Sequence, residues 1–109
     1  TRAMARLAGL ELPSFPDTEK SFDELRQRID KALAYIKTIT PQQLAGAESR
    51  TVKLVFPSRT LEYTGLQYLT GFALPNFYFH ATTAYDILRT NGVPLGKRDF
   101  MGRMKMKKG

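Results

Sequence analysis

His80 is the only histidine of the chain, and it stands in the apolar run Pro75-Asn76-Phe77-Tyr78-Phe79-His80-Ala81-Thr82-Thr83-Ala84-Tyr85. An imidazole there could act as a general base or as a ligand to zinc or nickel. Metal centres are built from several converging ligands, so the neighbours matter. Helical spacing puts Asn76 four residues before His80 and Thr83 three residues after it on one face, while Asp86, six residues on, falls nearly opposite. The residues alone therefore favour a structural histidine, with metal ligation by His80 as the alternative. The carboxylates offer no acid/base pair in the apolar segments. Glu11, Asp17 and Glu19 lie in a proline-containing stretch, Asp23, Glu24 and Asp30 read as cap and solvated-face residues, and Glu62 alternates with Leu61 and Tyr63 as an exposed strand residue would. There is no G-x-S-x-G, phosphate-binding loop or G-x-G-x-x-G. With no cysteine in the chain, a thiol nucleophile, a disulfide framework, a zinc-thiolate site and an iron-sulfur cluster are excluded.

Two other groupings could bind something. The aromatics Phe72, Phe77, Tyr78, Phe79 and Tyr85 could line a pocket for a small apolar molecule, with Asn76, His80 and Thr83 as its few polar groups; at helical spacing they serve equally well as core. The basic end of the chain could hold phosphates. Six basic residues and one acid, Asp99, fall within Lys97–Gly109, which leaves a net charge of +2 for the rest out of a total of +7. Gly96-Lys97-Arg98-Asp99-Phe100 reads as a docking or clamp segment, or as solvated tail, and no recognition helix or stacking platform accompanies it. Nucleic-acid binding is thus expected only nonspecifically, through the tail.

The elements that must position these residues are short. The chain has 109 residues, 42% hydrophobic, enough for one core. Thr1–Ala8 reads as the end of a helix closed by Gly9, entered as if midway, and the missing initial Met suggests a processed or trimmed product. Leu10–Lys20, with Pro13 and Pro16, is an extended connector. Ser21 with Glu24 forms a capping box for an amphipathic helix whose stripe is Phe22, Leu25, Ile29, Leu33 and Ile36. Thr40-Pro41 starts one short helical turn that Gly46 ends. Thr51–Phe56 and Arg59–Thr64 alternate about Pro57-Ser58 as a hairpin that needs helices to lie against. Gly65–Asn91 is apolar nearly all round, which predicts a buried helix kinked or restarted at Pro75 and stopped by Asn91-Gly92. No run is long enough to span a membrane, and Thr1–Leu10, without an apolar core or small-residue cleavage site, does not read as a signal peptide.

Two stretches resemble a known group. The run Gly71-Phe72-Ala73-Leu74-Pro75-Asn76-Phe77-Tyr78-Phe79-His80 through Asn91-Gly92-Val93, followed by Gly96-Lys97-Arg98-Asp99-Phe100, is similar to the C-terminal signature of a bacterial family, domain of unknown function nineteen-ninety-three. Arg6-Leu7-Ala8-Gly9 and Pro13-Ser14-Phe15-Pro16-Asp17-Thr18-Glu19 resemble the middle of that family. The likeness implies a DinB/YfiT-like four-helix bundle. Many such bundles bind a metal through three histidines, two of them four residues apart on the last helix. By similarity His80 falls on the second of that pair and Asn76 on the first, where an amide is a poor substitute for imidazole. The third ligand would come from a second helix whose beginning precedes Thr1. The resemblance likewise implies a first helix and most of a second ahead of this chain.

These readings predict an all-α, partial up-and-down bundle with a small β-hairpin, one domain over 1–100, and a flexible basic Met/Lys tail over 101–109. The expected function is binding of a small ligand, or scaffolding, without catalysis. The ligand pocket would use Asn76, Phe77, Tyr78, His80, Thr83 and Tyr85. The alternative is a metal-dependent enzyme of the thiol-dependent transferase type, holding zinc or nickel at His80; otherwise no cofactor is expected. The uncovered apolar faces predict a homodimer in which two copies complete one bundle. The expected location is the cytoplasm.

Overall fold

A computed structural model describes residues 1–102 of the chain. Its first helix, α1 (Arg2–Ala8), stops at Gly9, whose φ of 68° lies in the left-handed region that glycine enters without steric cost. From far along the chain the Arg50 guanidinium donates to the Leu7 carbonyl and, at 3.3 Å, to the Gln43 carbonyl, so a cation meets the C-terminal end of α1. Helix α2 (Phe22–Lys37) begins as its sequence predicts. The Glu24 N–H donates to Ser21 Oγ at 3.2 Å, and the Ser21 N–H donates to the Glu24 carboxylate at 3.1 Å. Thr40 and Gln43 repeat this arrangement at the tight turn Pro41–Leu44.

Strands β1 (Thr51–Phe56) and β2 (Arg59–Thr64) pair antiparallel around the two-residue turn Pro57-Ser58, with Phe56 opposite Arg59. Lys53 lies opposite Glu62 and forms an exposed ion pair at 2.7 Å. On the other face Val52 and Leu54 are buried, opposite half-buried Tyr63 and Leu61. The hairpin needs a cover, and it has one. Val52 and Leu54 pack with Leu7 of α1 and with Tyr68 and Ala73, while Ala3, Leu44, Leu61, Tyr63, Leu69 and Phe72 close around them. Helix α3 (Gly65–Tyr68), capped by Thr64 and Gln67, supplies Tyr68, which is 1% exposed. This is the core of a compact unit over residues 1–73. The architecture is helical with a small two-stranded antiparallel sheet.

The connector 10–20 lacks regular structure, yet Arg28 of α2 fastens it. Its Nη1 donates to the Pro16 carbonyl at 3.1 Å and to Glu19 at 2.8 Å, its Nη2 donates to the Phe15 carbonyl at 3.2 Å, and Asp17 lies 2.8 Å from Nη1. A hydrogen bond from its own backbone N–H, together with the Arg28 guanidinium, outweighs desolvation and holds the Glu19 carboxyl below the usual carboxylate range. Because the folded value is the lower one, this clasp is fully formed above the ordinary carboxyl value near 4.5 and opens as pH falls through the folded value. Protection of the Phe15, Asp17, Thr18 and Glu19 amides, taken relative to intrinsic exchange at each pH, is expected to fall below that pH, and Arg28→Met is expected to give low protection at every pH. Equal protection at neutral pH in the parent and the variant would show that the clasp does not order the connector.

Residues from Leu74 on form a second compact unit. It holds α4 (Leu74–Thr90) and α5 (Lys97–Met101). Where the sequence predicts one long helix kinked at Pro75, the backbone widens into a π turn over Leu69–Ala73 immediately before that proline. Pro75 has no N–H to donate and its ring crowds the carbonyl one turn back, so a wider turn relieves both. Gly92, at φ 89°, ends α4, with the Val93 N–H donating to the Leu88 carbonyl at 3.1 Å.

Two expectations are corrected here. No residue of α4 is buried, although an all-round apolar sequence predicts burial, because its apolar side chains find no covering layer among the described residues of this unit. Gly96–Phe100, although exposed from Lys97 on, is helical and not irregular tail: the Gly96 N–H donates to Asp99 Oδ2 at 2.8 Å and opens α5. The tail from 103 onward lies outside the described residues. Among the described residues, no helix is long and apolar enough to cross a membrane.

Candidate functional site

All six residues expected to line a pocket sit on α4, and the helix sorts them. Asn76, His80 and Thr83 follow one another at steps of four and three, so they share a face, and all three are exposed. Phe77, Tyr78 and Tyr85 fall with Leu74 and Leu88 on a stripe nearly opposite, and of these only Phe77, three residues before His80, neighbours it. Phe77 and Tyr78 meet edge to face at 5.6 Å and remain 64% and 55% exposed. Phe79 stands edge-on to the His80 ring at 5.3 Å. Tyr85 is half-buried because Phe100 of α5 packs against it, ring centroids 5.6 Å apart at 83°, and its hydroxyl is sealed without a hydrogen-bond partner.

What this arrangement can do follows from its donors. One side of α4 carries Phe77, Tyr78 and Tyr85, and an amide, an imidazole and a hydroxyl line nearly the opposite side. The helix's one carboxylate, Asp86, is exposed six residues from His80, on another side of the helix. The fit to a metal is poor: the residue one turn before His80 is the amide Asn76, and among the described residues no three His, Cys, Asp or Glu side chains converge.

The 1–73 unit contains two features that sequence reading does not find. A cleft of about 330 Å³ lies between the connector and α2, lined by Phe15, Pro16, Glu19, Gln27, Arg28 and Lys31. Its wall is the Arg28 clasp, in which charges already satisfy one another. The second feature is Arg6. Its Nη1 donates to the Tyr68 hydroxyl at 3.3 Å and its guanidinium carbon lies 6.0 Å from the Tyr68 ring centroid, yet its Nε is sealed without a partner. A signal was available for Arg6. It falls between Ala5 and Leu7, on a short helix whose neighbouring positions are apolar, where a charge calls for a reason.

With this geometry described, the likeness to known proteins has a definite extent. A family model for a domain of unknown function, DUF1993, matches residues 1–101. Among solved structures, a DinB family member protein from Shewanella denitrificans is 39% identical, with a TM-score of 0.83 over 98% of this chain and 61% of that chain. The chain therefore spans about three fifths of the length of that protein's chain. No curated protein matches it. The chain belongs to the DUF1993 family, and its fold is similar to that of a DinB family member.

Proposed function

We propose that this chain is a small-ligand-binding or scaffold element of a DinB-type four-helix bundle and that it does not catalyse a reaction. The observation that supports this reading is the surface of α4, where Phe77, Tyr78, Phe79 and Ile87 are each more than half exposed and no residue is buried. Aromatic area on that scale is costly to leave in water and marks a surface that meets an apolar body. His80, beside Phe77, with Asn76 and Thr83 on its own side of the helix, would orient a ligand through one or two hydrogen bonds. In this reading the stripe of α2 and the face of α4 are bundle-interior surfaces, and a second copy of the chain covers them.

The test is thermal unfolding with decanol and naphthalene as probes, alongside light scattering of the unliganded protein. A dimer is expected, with a rise in Tm of several degrees that shrinks by at least half in Phe77→Ala and Tyr85→Ala. A cooperatively folded monomer with flat responses to both probes would overturn the reading. Stoichiometric zinc or nickel that disappears in His80→Ala would replace it with metal-dependent chemistry.

A further inference from the structure

Among the described residues three arginines are half-buried, and the structure provides for two of them. Arg28 meets the carboxylates of Asp17 and Glu19 and two carbonyls. Arg50 meets the carbonyls of Leu7 and Gln43. Arg6 is different. It donates once, to the neutral Tyr68 hydroxyl, and among the described residues it has neither a carboxylate nor a carbonyl partner, while its Nε is sealed and unbonded. A guanidinium carries five donors and a permanent charge, and desolvating it without an anion is unfavourable. Tyr68 holds it in place from beneath, through its hydroxyl and through its ring, and Tyr68 is itself fixed by Phe72 stacked at 5.7 Å and by Tyr63 at 6.3 Å. An immobilised cation set against a cluster of aromatic rings lacks one thing, an oxyanion attached to an apolar body.

We propose that Arg6, positioned by Tyr68, whose ring packs with those of Tyr63 and Phe72, is the binding site for a small organic carboxylate. The guanidinium takes the carboxylate through charge-assisted hydrogen bonds, and the half-buried rings of Tyr63 and Phe72 take the hydrocarbon part. Arg2, one turn earlier on the same helix and exposed, adds positive charge at the rim. The aromatic surroundings favour an organic acid over inorganic phosphate, whose hydration they would strip without return. The site lies wholly within residues 1–73 and does not rest on the reading of α4.

Isothermal titration of the full chain with benzoate and decanoate, and with their neutral counterparts benzamide and decanol, decides the matter. Both carboxylates are expected to saturate one site per chain and to bind about tenfold or more tightly than their neutral counterparts at that site, and Arg6→Gln is expected to lose about that factor. Tyr68→Phe keeps the ring, so it should lose only severalfold. Inorganic phosphate is expected not to compete. No saturable binding of either acid, equal binding of benzoate and benzamide, full affinity in a folded Arg6→Gln, or competition by phosphate would each overturn the proposal. If Arg6→Gln does not fold, the acid-to-neutral ratio in the unaltered protein and the Tyr68→Phe titration carry the decision. Decanol binding that survives Arg6→Gln and is lost in Phe77→Ala reports the α4 surface, so the two readings fail separately.

Discussion

Gly65→Ala is expected to destabilise the 1–73 unit by about 3 kcal/mol, a large fraction of the stability of a unit this size. The reason is distance. A Cβ built on Gly65 would stand 1.7 Å from the Ala47 carbonyl oxygen and 2.8 Å from its carbon. Both are backbone atoms, so no rotamer change removes the clash. The approach is held on either side, since the Leu66 N–H donates to the Glu48 carbonyl at 3.0 Å and the Thr64 hydroxyl accepts from the Gln67 N–H at 3.3 Å. Separating residues 47 and 65 therefore breaks the junction that joins the hairpin to α3. Urea denaturation followed by circular dichroism measures the loss. Gly71→Ala is the control: nothing lies within 4 Å of its Cβ, so the change is expected to be neutral or to stabilise the helical backbone by up to about 1 kcal/mol. Equal stabilities for the two variants would show that the 47–65 approach relaxes freely.

Tyr68→Ala is expected to cost about 3–5 kcal/mol, the range for truncating a fully buried aromatic ring. Tyr68 is the one large side chain that the described core encloses completely. Its removal empties the space beneath Val52, Leu54 and Ala73, leaves Phe72 without its stacking partner, and takes away the one hydrogen-bond partner of the Arg6 guanidinium among the described residues. A core this small has little stability in reserve, so cooperative unfolding should disappear from the melting curve rather than shift along it. Tyr68→Phe keeps the ring and is expected to cost only about 1 kcal/mol for the lost hydroxyl. A Tyr68→Ala protein that still melts cooperatively within a few degrees of the parent would mean that the ring is not the centre of this core.

What could be read from the residues alone was whatever adjacent residues settle among themselves. Ser21 and Glu24 sit three residues apart and cap α2 by their own hydrogen bonds, whatever packs beyond them. Thr51–Phe56 and Arg59–Thr64 were legible to the residue, because a two-residue turn and period-two alternation together set the register. Gly9, Gly46 and Gly92 each take a positive φ where a helical segment stops. The family was legible as well, since its signature is carried by two long uninterrupted runs.

Distance along the chain marks where that reading stopped. Arg28 and Glu19 lie nine residues apart, Arg50 and Leu7 43, and Arg6 and Tyr68 62, so nothing local predicts that they meet. Asp99 was misread for another reason: the basic residues around it resemble a solvated tail, while its carboxylate is in fact spent on the Gly96 N–H. The candidate ligand residues show the same division. The 3.6-residue period alone aligns Asn76, His80 and Thr83 on one face of α4. Only the tertiary structure decided that Arg6, by sequence one of two arginines on a short and otherwise apolar helix, ends against a buried tyrosine with no anion beside it among the described residues. Helical periodicity depends on neighbouring residues, whereas the pairing of a charge depends on which distant segments the core brings to it.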